Sequence, residues 1–185
     1  MRVISGTAGR IRLEAPRSLA RPSTDRLREA LFSILGNRVV DSVVLDLFAG
    51  SGALGIEALS RGASKAVFVD QERGALKALR GNLERTRLSE QAQVMSQEVF
   101  AWLKRYTGPR FNLVFADPPY VKGVQDTNLA AMLLGESILE RFVETEGLVI
   151  VETGQAEPPQ HARGWRMEES RRYGGSHLHF FAPAG

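Results

Sequence analysis

Residues 45–63 read LDLFAGSGALGIEALSRGA, an apolar strand running into a glycine loop and then into a helix. Gly50, Gly52 and Gly55 are spaced as G-x-G-x-x-G, and Asp70 lies twenty residues beyond Gly50 at the end of the next apolar run, KAVFVD. Glycines let the backbone approach a ligand closely, and a carboxylate at the tip of the second strand can accept from both ribose hydroxyls. That pattern alone predicts a nucleoside site, equally suited to S-adenosylmethionine (SAM) or to a nicotinamide dinucleotide. Asp46 separates the two. An acid four residues before the first glycine repels a pyrophosphate but can hold an ammonium directly or through water, which favours SAM. The plainer alternative is that Asp46 caps the turn and the glycines only permit it.

Outward from this loop, short apolar strands alternate with helices, the signature of a parallel sheet covered on both faces. Strands are predicted at 43–47, 65–70, 92–95, 111–116 and 147–152, with helices near 53–61, 72–86, 97–106 and 127–144. The tail GWRMEESRRYGGSHLHFFA (164–182) predicts two more strands around Gly174-Gly175, an antiparallel hairpin closing the sheet. The start, RVISGTAGRIRLEAP (2–16), reads as a hairpin with a glycine turn carrying Arg2, Arg10 and Arg12 outward. STDRLREALFSILG (23–36) follows as a helix capped by Ser23 or Thr24, with an apolar face of Leu27, Leu31, Ile34 and Leu35 and a stop at Gly36. The division expected is an N-terminal hairpin and helix over 1–41 and a main domain over 42–185.

Size and composition fit one globular unit of 185 residues, 43% of them apolar. There is no cysteine, which excludes disulfides, thiolate metal sites and a cysteine nucleophile; no metal is expected. No uncharged apolar run reaches the length of a membrane span, and Met1 leads into a polar segment, so a cytoplasmic protein with no membrane association is expected. Residues 1–40 hold eight arginines against three acids, while the rest of the chain is slightly acidic. An arginine-rich front suggests a polyanion partner, since guanidinium forks match phosphates; a solvated charged face is the alternative.

VFADPPYVKG (114–123) ends another strand in Asp117-Pro118-Pro119-Tyr120, at the carboxyl edge where ligands of such sheets bind. Proline nitrogens carry no hydrogen, so the carbonyls around Asp117 and Pro118, with the Asp117 side chain, form a patch of acceptors only. What fits such a patch is a planar amine with two hydrogens, and Tyr120 can stack on the base that bears it. The alternative is an ordinary acid–proline turn. The chemistry expected is a single direct displacement in which Asp117 neutralises charge appearing on the amine. Glu98, after the third strand, is placed either to accept from an adenine amine or to sit in the first turn of a helix. From residue type alone, Phe48 and Phe68 read as core.

With GTAGRIRL, RPSTDRLREALFSIL, LDLFAGSGALGIEALSRGA, FVD, FADPPY and RRYGGSHLHFF in this order, the chain resembles the RsmD family over essentially its whole length. These are bacterial guanine-N2 methyltransferases of 16S ribosomal RNA. The resemblance implies a class I SAM-dependent, Rossmann-like fold with a mostly parallel seven-stranded sheet and an antiparallel C-terminal strand. It implies that Asp46 to Gly52, including Phe48 and Ala49, cradles the methionine part of SAM, that Asp70 and Gln71 bind ribose, and that Asp117 to Tyr120 take the target guanine. Such enzymes often carry Asp near the third strand, where this chain has Glu98. The hairpin would grip RNA, with Arg2, Arg10, Arg12, Arg21, Arg26 and Arg28 as candidates for phosphate contact; Arg26 and Arg28 can instead pair with Asp25 or Glu29. A monomer acting on ribosomal RNA within a 30S particle is expected. The same acceptor-plus-ring site also suits adenine-N6 of DNA or a protein glutamine amide. A binding module without catalysis and a nicotinamide oxidoreductase are the rival classes.

Overall fold

The computed structural model describes residues 1–15, 24–119, 128–135, 138–154, 159, 162 and 164–185. Its centre is a seven-stranded sheet of β1 (Val43–Leu47), β2 (Lys65–Asp70), β3 (Ala92–Ser96), β4 (Phe111–Ala116), β5 (Val143–Thr153), β6 (Trp165–Tyr173) and β7 (Ser176–Pro183), ordered β3-β2-β1-β4-β5-β7-β6. The first five are parallel, and β7 runs antiparallel between β5 and β6. The chain therefore winds outward from β1 to β3 and then crosses back to β4, which leaves a crevice between the carboxyl ends of β1 and β4.

One face of the sheet is covered by α1 (Asp25–Leu35), α2 (Ala53–Ser60) and α3 (Arg73–Thr86), the other by α4 (Val99–Arg105) and α5 (Leu129–Gly135). Thr24 caps α1 by accepting from Leu27 N at 3.2 Å, and Gly36 ends it at φ +49° with its N–H on Phe32 O. The apolar spacing then sends Leu27, Leu31, Phe32 and Leu35 inward, where Phe32 meets Phe115 edge-on at 5.7 Å. All eight residues of α2 are buried, because the helix lies between the sheet and the N-terminal hairpin.

That hairpin shares the main core. Val3, Ala8 and Leu13 belong to the same apolar cluster as α2 and β1. Four hydrogen bonds run from the hairpin backbone to α2: Ile4 N and Ser5 N to the Glu57 carboxylate (2.7 and 3.0 Å), Thr7 N to Ser60 O (2.7 Å) and Ala8 N to Ser60 Oγ (2.9 Å).

The helix expected over 127–144 is the clearest departure. α5 ends at Gly135, a 3-10 turn covers Glu140–Phe142, and β5 begins at Val143 rather than 147. Val143 pairs with Phe111, and the ladder then skips to Leu113 opposite Leu148, so Glu144 to Gly147 bulge out of the pairing. Burying Val143 beside Phe111 outweighs the helical preference of the stretch that leads up to it. No helix among the described residues is long and apolar enough to cross a membrane.

Candidate functional site

β1 stops at Leu47 because Phe48 takes a left-handed conformation, φ +56°, unusual for a bulky residue. Gly50 (φ +55°) and Gly52 (φ +79°) continue the turn, and Gly52 stands as N-cap of α2 without a side-chain cap. A Cβ on Gly52 would overlap Leu79 Cδ1 of α3, and one on Gly55 would overlap the Phe68 ring of β2, so the second and third glycines also set how closely α2 packs. The loop is pinned from β2: Ala49 N donates to Val69 O at 3.2 Å and Gly50 N to Asp70 Oδ2 at 2.7 Å. The Phe48 ring meets Phe100 of α4 edge-on at 6.5 Å.

The strand register arranges the acids. Leu47 is opposite Val69 on one side and Ala116 on the other, so Asp70 and Asp117 flank Phe48 across the crevice. Two strand spacings of about 4.8 Å put their backbones roughly 10 Å apart, room for a nucleoside and its reacting partner. Asp117 N lies 3.5 Å from Leu47 O; Pro118 is buried and Pro119 exposed. Tyr120 lies outside the described residues, as does Arg21.

Asp46 is buried, and its Oδ2 accepts from Gly55 N at 2.9 Å. Burial pushes its carboxyl from 3.8 up to about 8; the Gly55 bond opposes the rise and the charge of Asp70 adds to it. Asp46 thus does cap the start of α2, as the plainer reading of the sequence had it, while remaining at the edge of the glycine loop. Gln71 is exposed beyond Asp70. Glu98 is the N-cap of α4, its two oxygens accepting from Phe100 N (3.0 Å) and Ala101 N (2.7 Å). It therefore sits at the helix terminus, and the residue is exposed.

Of the arginines on the N-terminal segment, Arg2, Arg10, Arg12 and Arg26 are exposed or partly so. Arg28 is not available to a phosphate: it is 0% exposed, donates from Nη2 to Arg2 O (2.5 Å) and Asp25 Oδ1 (2.8 Å), and lies 3.7 Å from Glu57. The pairing alternative is the one realised, because the hairpin closes over the guanidinium. Glu57, also 0% exposed, binds Arg61 Nε at 2.7 Å as well as the two hairpin amides. Sequence reasoning passed over Glu57 and Ser60, although an acid within the otherwise apolar GALGIEALS was the available sign of a buried partner.

The family model described as conserved hypothetical protein 95 matches residues 1–182. The chain belongs to this family, the RsmD family its motifs resemble. Among relatives of the family, a putative rRNA methyltransferase, YlbH, of Bacillus subtilis is 35% identical over 182 residues, covering 94% of each chain. Ribosomal RNA small subunit methyltransferase D of Escherichia coli K12 is 37% identical over 152 residues, 79% of this chain and 75% of that protein. Of solved structures, the putative methyltransferase yhhF from Escherichia coli superposes with a TM-score of 0.82 at 32% identity, covering 99% of this chain and 97% of that one. A hypothetical protein of Thermus thermophilus gives 0.81 at 35% identity, covering 97% and 98%. The family fold is thus the mixed α/β methyltransferase fold that the sequence leads one to expect.

Proposed function

We propose that the protein transfers a methyl group from SAM to the exocyclic N2 amine of a guanine in 16S ribosomal RNA by direct displacement. The coarser part of this reading, a SAM-dependent methyltransferase of small-subunit ribosomal RNA, is carried by the relatives. The observation that carries the rest is the placement of the glycine loop with Asp70 and of Asp117-Pro118-Pro119 on opposite lips of one crevice at the β1/β4 switch point.

The residues present fit SAM. The left-handed loop from Phe48 to Gly52 offers close backbone approach to the methionine part, Asp70 and Gln71 stand at the ribose position, and Glu98 keeps lone pairs for an adenine amine. Asp46 fits an ammonium and not a pyrophosphate, because its Oδ2 already takes the Gly55 N–H at the start of α2, where a dinucleotide phosphate would bind, and its carboxyl can ionise beside a cation. That weighs against the oxidoreductase reading. When bound, SAM supplies a methyl group activated by a sulfonium. The chain supplies position and charge: acceptors at Asp117 and Pro118 hold both hydrogens of the amine, Tyr120 stacks on the base, and Asp117 neutralises the charge that develops on nitrogen. Incubation with tritiated SAM and 30S particles from a strain lacking the modification, followed by mass mapping of the labelled nucleotide, is expected to place one methyl on a guanine N2. Label on DNA, on protein or on another base position would sink the reading.

Asp46 yields a proton-coupling test. With its folded value raised above that of the unfolded chain, the neutral carboxyl contributes stability that is complete below about 4 and lost as pH rises through about 8. An ammonium brought beside it favours the ionised form instead. Binding of SAM at pH near 7 is therefore expected to release close to one proton, read by calorimetry in buffers of different ionisation enthalpy. Asp46→Asn should remove the buffer dependence. Identical enthalpies in all buffers for the native protein would show that Asp46 does not face the ammonium.

A further inference from the structure

The N-terminal arginines are not the only concentration of positive charge. Between Arg73 and Arg87 the chain places five cations and one acid, on and just after α3. Arg85 is committed to the hairpin, donating to Glu14 (2.8 Å) and Arg12 O (3.3 Å). Arg73, Lys77 and Arg80 point to the other flank of the helix, where they line a groove of about 510 Å³ with Leu76, Gly81, Glu84 and Ser96 of the edge strand β3. All three are exposed and none has an ion pair among the described residues.

The lining says what kind of ligand suits it. Among the described residues it holds no aromatic ring, and Leu76 is its one large apolar side chain, so the groove has nothing on which to stack a base or bury a compact ligand. The cations recur at i, i+4 and i+7, a line of about 10 Å along the helix axis at ~1.5 Å per residue. Successive phosphates of one strand are spaced by several ångströms, so a short run of them can be met along that length. A single phosphate would need the cations to converge on one point, whereas a phosphodiester track needs them spaced out. Arg73 stands three residues after Asp70, so the track starts beside the cofactor end of the crevice and leads away along the sheet edge.

We infer that the groove between α3 and β3 is a second RNA-backbone surface, holding phosphodiesters of the molecule whose base enters the β1/β4 crevice. This rests on the RNA methyltransferase reading. With the hairpin on one flank of α3 and the groove on the other, the substrate is held on two sides of the helix that leads away from the cofactor site.

The test compares the triple variant Arg73→Gln, Lys77→Gln, Arg80→Gln with a charge-matched control, Lys104→Gln, Arg105→Gln, Arg110→Gln, whose residues are exposed on and after α4. Binding to protein-free 16S RNA is measured by fluorescence anisotropy from ~50 to ~200 mM salt, where each lost phosphate contact flattens the log–log slope by about 0.7. The groove variant is expected to flatten it by about 2 and to bind about tenfold more weakly, with SAM affinity and the rate at saturating RNA unchanged. A slope change no larger than the control's would overturn the proposal while leaving the catalytic reading intact. So would a variant that binds naked RNA normally but loses affinity for 30S particles, which would make an acidic protein surface the occupant. If the native protein labels no RNA at all, the methyltransferase reading fails first, and the groove with it.

Discussion

Asp117→Ala is expected to lower methyl transfer by about 10²–10³-fold, the usual cost of removing one group that stabilises charge in a transition state, while SAM affinity stays within a few-fold. The separation follows from the register. Asp117 stands at the end of β4, and its own backbone N–H, 3.5 Å from Leu47 O, ties it to the strand that leads into the glycine loop. The loop itself is pinned from the other side, by Asp70 on Gly50 N and by Val69 O on Ala49 N. Deleting the carboxylate is therefore expected to remove an acceptor for the amine while these backbone ties of the glycine loop stay in place. Asp117→Asn keeps the shape and one acceptor oxygen but turns a donor toward another donor, so a loss between those of the native protein and the alanine variant is expected. Calorimetry with SAM and single-turnover labelling of RNA read the two quantities independently. Full turnover in the alanine variant would remove the acceptor-patch mechanism; a collapse of SAM affinity would mean that Asp117 belongs to the cradle.

The parts of this arrangement that are legible in the sequence are those with a short local cause. A buried strand, a glycine loop and a helix leave a fixed spacing, and Asp70 falls at the end of the next strand whatever else the chain does. Prolines after a strand are equally plain. What is not legible depends on partners far along the chain. Arg28 lies on a helix among other arginines and looks like one more surface cation; only the closure of residues 2–13 over it makes it a buried charge. The length of α5 is misjudged because Val143 pairs with Phe111, a contact across 32 residues that local propensity does not encode. The α3 groove is hidden for another reason. Its cations are diluted by the acids of the remaining sequence, and only the helical period brings three of them to one flank.

The joint between hairpin and sheet makes the second large prediction. Glu57, itself fully buried, holds Ile4 N and Ser5 N at 2.7 and 3.0 Å, pairs with the partly exposed Arg61 at 2.7 Å and sits 3.7 Å from the buried Arg28. Glu57→Ala would leave the buried Arg28 guanidinium with Asp25 as its remaining acid, take from Arg61 its partner at 2.7 Å, and leave two hairpin amides without an acceptor. Breaking a buried pair from one side costs about 3–5 kcal/mol, far more than the pair's net contribution when intact. The variant is expected to unfold at markedly lower urea. In Glu57→Gln the amide oxygen still accepts from one hairpin N–H, so a smaller loss is expected. Amide exchange separates a local from a global effect: Ile4, Ser5 and Ala8 should lose protection before the strands β1 and β4 do. If that order holds, the hairpin that carries Arg10 and Arg12 is fastened to the same helix that follows the glycine loop, and weakening Glu57 is expected to weaken RNA binding before it weakens SAM binding. Unchanged urea stability in the alanine variant, or loss of SAM affinity ahead of RNA affinity, would show that Glu57 does not fasten the hairpin to the rest of the fold.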